Sequence, residues 1–235
     1  MRLALSVVLV FLAHNLLAQL PHKIAEGQYE KLLYGPVYQF KYYGAQQHPF
    51  FMSDQPWKST LIYKGHRHEH LQLLYDLHQQ ELVLFQERIT SLPRYVCLNS
   101  KYVQEWRFTG ENGKEYLFKA LLPYRDILPE NPILYRIYHD GHIKFVSSAE
   151  KEFQLEPYER ESEMEQEKRY YLIKEQEIYE IRNRRTLLKA FKDDKDRLRK
   201  FIRKQNLTIR TSHVPDIIRL IHFYENNLSR IHETQ

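Results

Sequence analysis

The sequence predicts an α+β protein: an antiparallel β-meander or open barrel-like body, then a β-hairpin and a short three-helix C-terminal segment. Three observations carry this expectation. Short apolar runs recur at close intervals from Ser59 to Ser148, bounded by turn-forming residues, as in hairpin-linked antiparallel strands. Aromatic residues are abundant, with 18 Tyr, 12 Phe and 2 Trp against 7 Gly. Such residues suit half-buried strands, where the ring packs and a tyrosine hydroxyl stays wet. Near the C-terminus the apolar spacing changes to three and four, the helical period.

The first nineteen residues, "MRLALSVVLVFLAHNLLAQ", stand apart. Arg2 is a one-charge leader, Leu3 to Ala13 an eleven-residue apolar run broken only by Ser6, and Ala18 a small residue for signal peptidase. That layout predicts a secretory signal at 1–19, cut near Ala18. The run is short for a membrane span, which needs about 20 apolar residues. No cysteine follows it, so a lipid anchor is not expected, and the single cysteine, Cys97, excludes an intrachain disulfide.

Residues 20–150 read as a β-rich domain with an aromatic lead-in. The lead-in carries turn signals at Gly27, Gly35-Pro36 and Gly44, and then "QHPFFMSDQPW". It is expected to cover a sheet. "STLIY", "LQLLYDL", "ELVLF", "RYVCL", "YVQEWRF", "KEYLFKALL", "ILYRIYHD" and "HIKFVSS" follow as seven or eight strands. "TGENGK" joins two of them, and "HDGH" joins the last two through an Asp-Gly pair, expected as a two-residue turn with positive φ.

Residues 151–235 read as an acidic linker, a hairpin and basic helices. "EPYERESEMEQEK" is too polar for a core and is expected on the surface, with "RYYLIKEQEIYEI" as the hairpin. Thr186 is expected to cap "LLKAF". Asp193 or Asp194 is expected to cap "KDRLRKFIRKQN", with Leu198, Phe201 and Ile202 on one face. Ser212 is expected to open the last helix, with Pro215 in its first turn and Ile217, Ile218, Ile221 and Tyr224 facing inward.

The order of these elements resembles a family of exported proteins from Bacteroidota. The likeness rests on "HPFF" followed by a Trp, on "YKG", a spacer and "LLYDL" with "ELVL" beyond, and on the ending "YYLIK…EIYEI…LLKAFKDDKDRLRKFIRKQNL…IIRLIHFYEN". These motifs are structural and carry no catalytic signature. The resemblance implies a periplasmic or envelope-associated protein. The family pattern lacks the histidines between Gly65 and Leu71.

Candidate chemistry is sparse. His66, His68 and His70 alternate, so on a strand they share a face, and two such histidines plus a third ligand would suit zinc. Counting back from Leu71, Leu73 and Tyr75, however, places Arg67 and Glu69 on the apolar face. The histidines then extend the partly polar face of Gln72, Leu74 and Asp76, and a structural or solvent-facing role is expected. Cys97 is expected as a small buried thiol, because only Arg94 lies near enough in sequence to depress its pKa. There is no G-x-G-x-x-G, no phosphate-cradling loop and no G-x-S-x-G elbow, so no cofactor and no catalytic residue is assigned. The carboxylates from Glu159 to Glu167 are expected in solvent. Asn206 in "NLT" matches a glycosylation acceptor but fits better as a helix terminator. "YGPVYQFKYYG" is expected to pack as strand, with an aromatic binding platform as the alternative.

Charge is the remaining clue. The formal net charge is +5, and its distribution is uneven. Residues Glu150 to Glu180 hold eleven acidic and five basic residues, whereas Arg182 to Lys204 hold three acidic and eleven basic ones. Export excludes nucleic acid from the expected partners. What remains is an envelope protein or an anionic envelope component meeting a non-enzymatic protein. The alternatives are a metal-binding protein or metal-dependent enzyme using His66, His68 and His70, and a structural subunit of an outer-membrane assembly.

Overall fold

The computed structural model describes residues 32, 35–41, 47–86, 95–124, 126–128, 133–154, 163–192 and 194–232, with the backbone alone at 153–154, 163–165 and 228–232. The expected signal segment, residues 1–19, lies outside the described residues, as does most of the acidic stretch 155–162.

Ten strands form one antiparallel sheet: β1 (Trp57–Tyr63), β2 (His66–Asp76), β3 (Glu81–Phe85), β4 (Tyr95–Cys97), β5 (Val103–Thr109), β6 (Glu115–Lys119), β7 (Tyr135–Asp140), β8 (Lys144–Gln154), β9 (Glu163–Lys174) and β10 (Glu177–Glu180). Three helices close the described chain: α1 (Arg184–Ala190), α2 (Lys195–Lys204) and α3 (Val214–His232). The sheet order is β10-β9-β8-β7-β6-β5-β1-β2-β3-β4. Neighbours in sequence are neighbours in space except after β4, where the chain returns to set β5 against β1. The compositional change at residue 150 falls inside β8, so the sheet runs through it. The polar stretch from Glu163 to Lys168 is not a loop: it pairs with β8 as the first half of β9.

The lead-in covers the sheet at two places. Val37 bridges Val96, and Phe50 bridges Asp76. Phe51 inserts its ring among Phe108, Tyr116 and Phe118, with centroids 5.1–6.4 Å away. Trp106 is fully buried and donates its indole N–H to Ser59 at 2.9 Å. This aromatic core spans β1, β2, β3, β5 and β6. A second, more aliphatic core lies between β7–β9 and the helices, built on Phe145, Leu172, Leu187, Leu198, Ile217, Leu220 and Ile221.

Turn chemistry departs from expectation in three places. The β1–β2 turn is only Lys64-Gly65, both at positive φ (51° and 78°), so the histidines belong to β2 rather than to a separator. The β9–β10 turn is Glu175-Gln176, at φ 51° and 68°. Two-residue hairpin turns require such values and usually recruit Asn or Gly. The "HDGH" segment is no two-residue turn: Asp140 pairs with Lys144 across a three-residue loop. Gly141 is absent from the residues with positive φ. It is small for another reason, since a Cβ there would stand 2.6 Å from His139 Nε2 and 2.7 Å from Glu225 Oε1.

The helices begin slightly off the expected residues. Asn183, not Thr186, caps α1; its Oδ1 accepts from the amides of Arg185 and Thr186, while Thr186 Oγ1 accepts from the Asn183 amide. The two satisfy otherwise orphaned donors reciprocally. Asp194 stands before α2 without a capping bond. Asn206 ends α2 at φ 50°. The Leu207 amide reaches back to Ile202 O and the Asn206 amide to Arg203 O, a Schellman closure. Along α2, Leu198 and Ile202 are buried and Phe201 stacks on Phe223 at 3.8 Å. Along α3, Ile217, Leu220, Ile221 and Tyr224 are buried and Ile218 half-buried.

Candidate functional site: a basic helical face beside a charged cleft

Leu198 and Ile202 turn one side of α2 into the core, so helical periodicity sends Arg199, Lys200, Arg203 and Lys204 to the opposite side. All four are exposed. Arg184, Arg185, Lys189 and Lys192 of α1 and its exit, and Lys195 at the start of α2, are exposed as well. Two α2 arginines have partners: Arg199 meets Asp196 at 3.1 Å, and Arg197 hydrogen-bonds Asn227 and lies 3.9 Å from Asp194. Among the described residues no ion pair restrains Arg184, Arg185, Lys189, Lys192, Lys195, Lys200, Arg203 or Lys204. Lys200, Arg203 and Lys204 also fall toward the C-terminal end of α2, where the macrodipole favours cations. A field of mostly one sign raises the local concentration of anions.

Beside this face a cleft of about 480 Å³ opens between β9, β10 and the α2–α3 loop, lined by Lys168, Tyr170, Ile181 and Thr211 among others. Its arginines are already committed. Arg169 makes a two-pronged bond to Glu167 (2.9 and 2.8 Å), and Arg182 makes one to Glu180 (2.7 and 2.9 Å). Those hydrogen bonds hold the Glu180 carboxyl below the usual carboxylate range. Lys168 lies over the rings of Tyr138 (5.8 Å) and Tyr170 (5.4 Å), and Arg136 stacks on Tyr138 at 4.7 Å. Burial pushes the Tyr138 phenol up, but Arg136 and Lys168 outweigh it and leave the phenol below its ordinary value. Both arginines of the cleft are therefore matched by glutamates, leaving Lys168 as its one further charge, in contrast to the helices next to it.

The histidines of β2 do not all share the one face that alternation predicted. His70 has φ 60° and marks a bulge: Ser59 pairs with Leu71, but Leu61 pairs with His68. Three residues, not two, separate successive core-facing positions there. His68 consequently joins the face of Leu61 and Leu71 and is buried, while His66 and His70 are exposed. Burial lowers the His68 pKa, with His66 adding to the effect. Among the described residues no group of three metal-binding side chains assembles anywhere.

Cys97 is buried on β4 and donates to Glu81 Oε2 at 3.1 Å; burial and that carboxylate push the thiol up to about 12. Such a thiol is not a nucleophile at neutral pH. In the aromatic lead-in, Tyr38 is buried and Phe40 partly exposed, while Tyr34, Tyr42 and Tyr43 lie outside the described residues. Gln166 and Glu167, at the end of the acidic run, are exposed. No described helix is long and apolar enough to cross a membrane.

Two polar assemblies escaped sequence reasoning. In the first, fully buried Asp76 accepts from Tyr38 OH (2.7 Å) and from the amides of His78 and Gln79 (2.8 Å each). Lys151, from distant β8, reaches the carbonyls of His48 (2.6 Å) and Phe50 (3.2 Å). Burial lowers its pKa, with Asp76 opposing. His78 Nδ1 and Gln80 Nε2 bind the Lys151 and Ala149 carbonyls, stitching the β2–β3 turn to β8. In the second, His139 at the end of β7 bonds Glu225 of α3 through Nε2 at 2.8 Å, and its Nδ1 lies 3.2 Å from His222 Nε2. The only sequence signal for either was a lone charged or imidazole residue in an otherwise apolar element. No protein-family model, curated protein or solved structure matches this chain.

Proposed function

We propose that this is an exported, non-enzymatic envelope protein that uses its basic helical end to dock on an anionic envelope component. The observation that carries this reading is the cationic field of α1 and α2, eight of whose cations have no ion pair among the described residues, next to a cleft whose arginines are neutralised by neighbouring glutamates. The leader-like segment at 1–19, with cleavage near Ala18, supplies the export half of the proposal, and the likeness to exported Bacteroidota proteins agrees with it. In this reading the sheet is an open, barrel-like scaffold of meander segments that holds the helices rigid. Chemistry is not required of it.

The docking half is tested by co-sedimentation of the mature chain with vesicles containing phosphatidylglycerol, and with an immobilised acidic polysaccharide, at rising salt. Binding to at least one, weakening with ionic strength, is expected. At roughly 1 kcal/mol per surface charge, the variant Lys200→Glu/Arg203→Glu/Lys204→Glu should bind more than about tenfold less well. Retention on neither support at low salt would overturn the proposal. The export half is read from the N-terminal sequence of the natural product, expected to begin just after Ala18 or Gln19.

A further inference from the structure

We propose that His139 and His222 form a two-histidine site for a divalent transition metal of the zinc or cobalt class, with Glu225 holding the first ligand in place. The site is remote in sequence from the histidines of β2 and independent of the docking surface.

The argument begins with the tautomer. The carboxylate of Glu225 accepts at both oxygens: Ile143 N–H donates to Oε1 at 2.8 Å, and His139 Nε2 lies 2.8 Å from Oε2. A neutral imidazole carries one ring proton, so donation to Glu225 leaves His139 Nδ1 as a lone pair. That lone pair faces His222 Nε2 across 3.2 Å. Two imidazole nitrogens on one tetrahedral ion, each about 2.0–2.1 Å from it, stand roughly 3.3 Å apart. The separation present already matches that distance, and the exposed His222 ring need only turn so that both lone pairs converge on one ion. A carboxylate behind a ligating histidine also fixes its ring and raises its basicity, the usual outer partner of a metal-bound imidazole.

The surroundings leave room for this arrangement. His139 and Glu225 side chains are 14% and 15% exposed, shielded yet reachable, while His222 is exposed. Gly141 keeps the loop clear, since any side chain would strike His139 Nε2 and Glu225. The rings of His139 and His222 are tilted by 57° with centroids 4.8 Å apart, so neither lies flat on the other. In the absence of metal, His222 Nε2–H donates to His139 Nδ1. On binding, His222 carries its proton on Nδ1 instead, and both facing nitrogens coordinate. Water fills the remaining positions, which makes the site exchangeable and open to an outside ligand.

The test uses the metal-free mature chain without an affinity tag. Zn²⁺ is titrated by calorimetry and Co²⁺ by visible absorption. One equivalent is expected to bind with micromolar-range affinity. His222→Ala, at an exposed position, should weaken binding more than tenfold with an unchanged melting temperature. Glu225→Gln should weaken it about 10–100-fold, and His66→Ala/His68→Ala should leave it as it was. Absence of a saturable equivalent, or binding that survives His222→Ala or disappears with His66→Ala/His68→Ala, would overturn the site.

Discussion

The β2–β3 turn and the α1–α2 surface are both built around charge, and they treat it in opposite ways. At the turn, Asp76 and Lys151 are buried and surrounded by hydrogen-bond partners from the lead-in, the turn itself and β8. On the helices, eight cations stand in solvent without an ion pair among the described residues. Buried charge with full pairing holds a structure together, and removing one partner is costly. Exposed charge without pairing contributes little to stability and is free to meet something else. The contrast fits a scaffold role for the first region and agrees with the contact role proposed for the second.

The largest effect expected from breaking this contrast comes from Asp76→Ala. It strands the Tyr38 hydroxyl and two amides and removes the counter-charge of Lys151, so a loss of about 3–5 kcal/mol is expected in urea denaturation. Asp76→Asn, which keeps an acceptor, should lose less. An Asp76→Ala loss below 1 kcal/mol would erase the distinction between the two regions.

A smaller effect is expected at the end of α2. Asn206 holds φ 50°, a region that disfavours a Cβ without local hydrogen bonding, so Asn206→Ala should cost about 1 kcal/mol. Asn206→Gly should be neutral or better. Comparing the melting temperatures of the two variants separates backbone conformation from side-chain contacts.

Smaller still is the pH effect of His68. Its folded pKa lies below the ordinary 6.5 because burial disfavours the imidazolium. The unfolded chain therefore takes up the proton more readily, and stability should fall as pH drops below about 6.5. His68→Gln should flatten the stability slope between pH 5 and 7 by less than one proton equivalent. An unchanged slope would mean that His68 is solvated.

The smallest stability effect belongs to the contact region. Lys200→Glu, Arg203→Glu and Lys204→Glu should each change unfolding free energy by no more than about 0.5 kcal/mol, although together they should weaken the proposed docking more than tenfold. A large destabilisation would show that the basic face is part of the scaffold after all.

How far the sequence revealed these features follows from the range of the forces involved. The apolar runs located the strands because side-chain alternation is local, and Leu198 and Ile202 located the buried side of α2 for the same reason. The bulge was illegible because three alternating histidines share the same modest tolerance of positive φ, and nothing local singles out His70. The Glu175-Gln176 turn was illegible too, lacking the Asn or Gly that such turns favour. Asp76 read only as part of a partly polar strand face, since its stabilising partners include Tyr38, 38 residues away. Glu225 and His139 lie 86 residues apart, and no spacing rule connects them. The basic field was visible at once as composition. Its freedom from ion pairs was not, because that depends on where the acidic residues of β9 and β10 find their own arginines.

The irregularity at His70 also gives this hairpin one place where a residue is spare. Between the Leu61–His68 and Ser59–Leu71 pairs, β2 carries one residue more than β1, so deleting Glu69 or His70 would bring both halves into a single register with Leu71, Leu73 and Tyr75 still facing inward. A deletion between Leu71 and Tyr75 has no such slack and would turn part of that row outward. Length changes in this stretch are therefore expected to fall at 69–70.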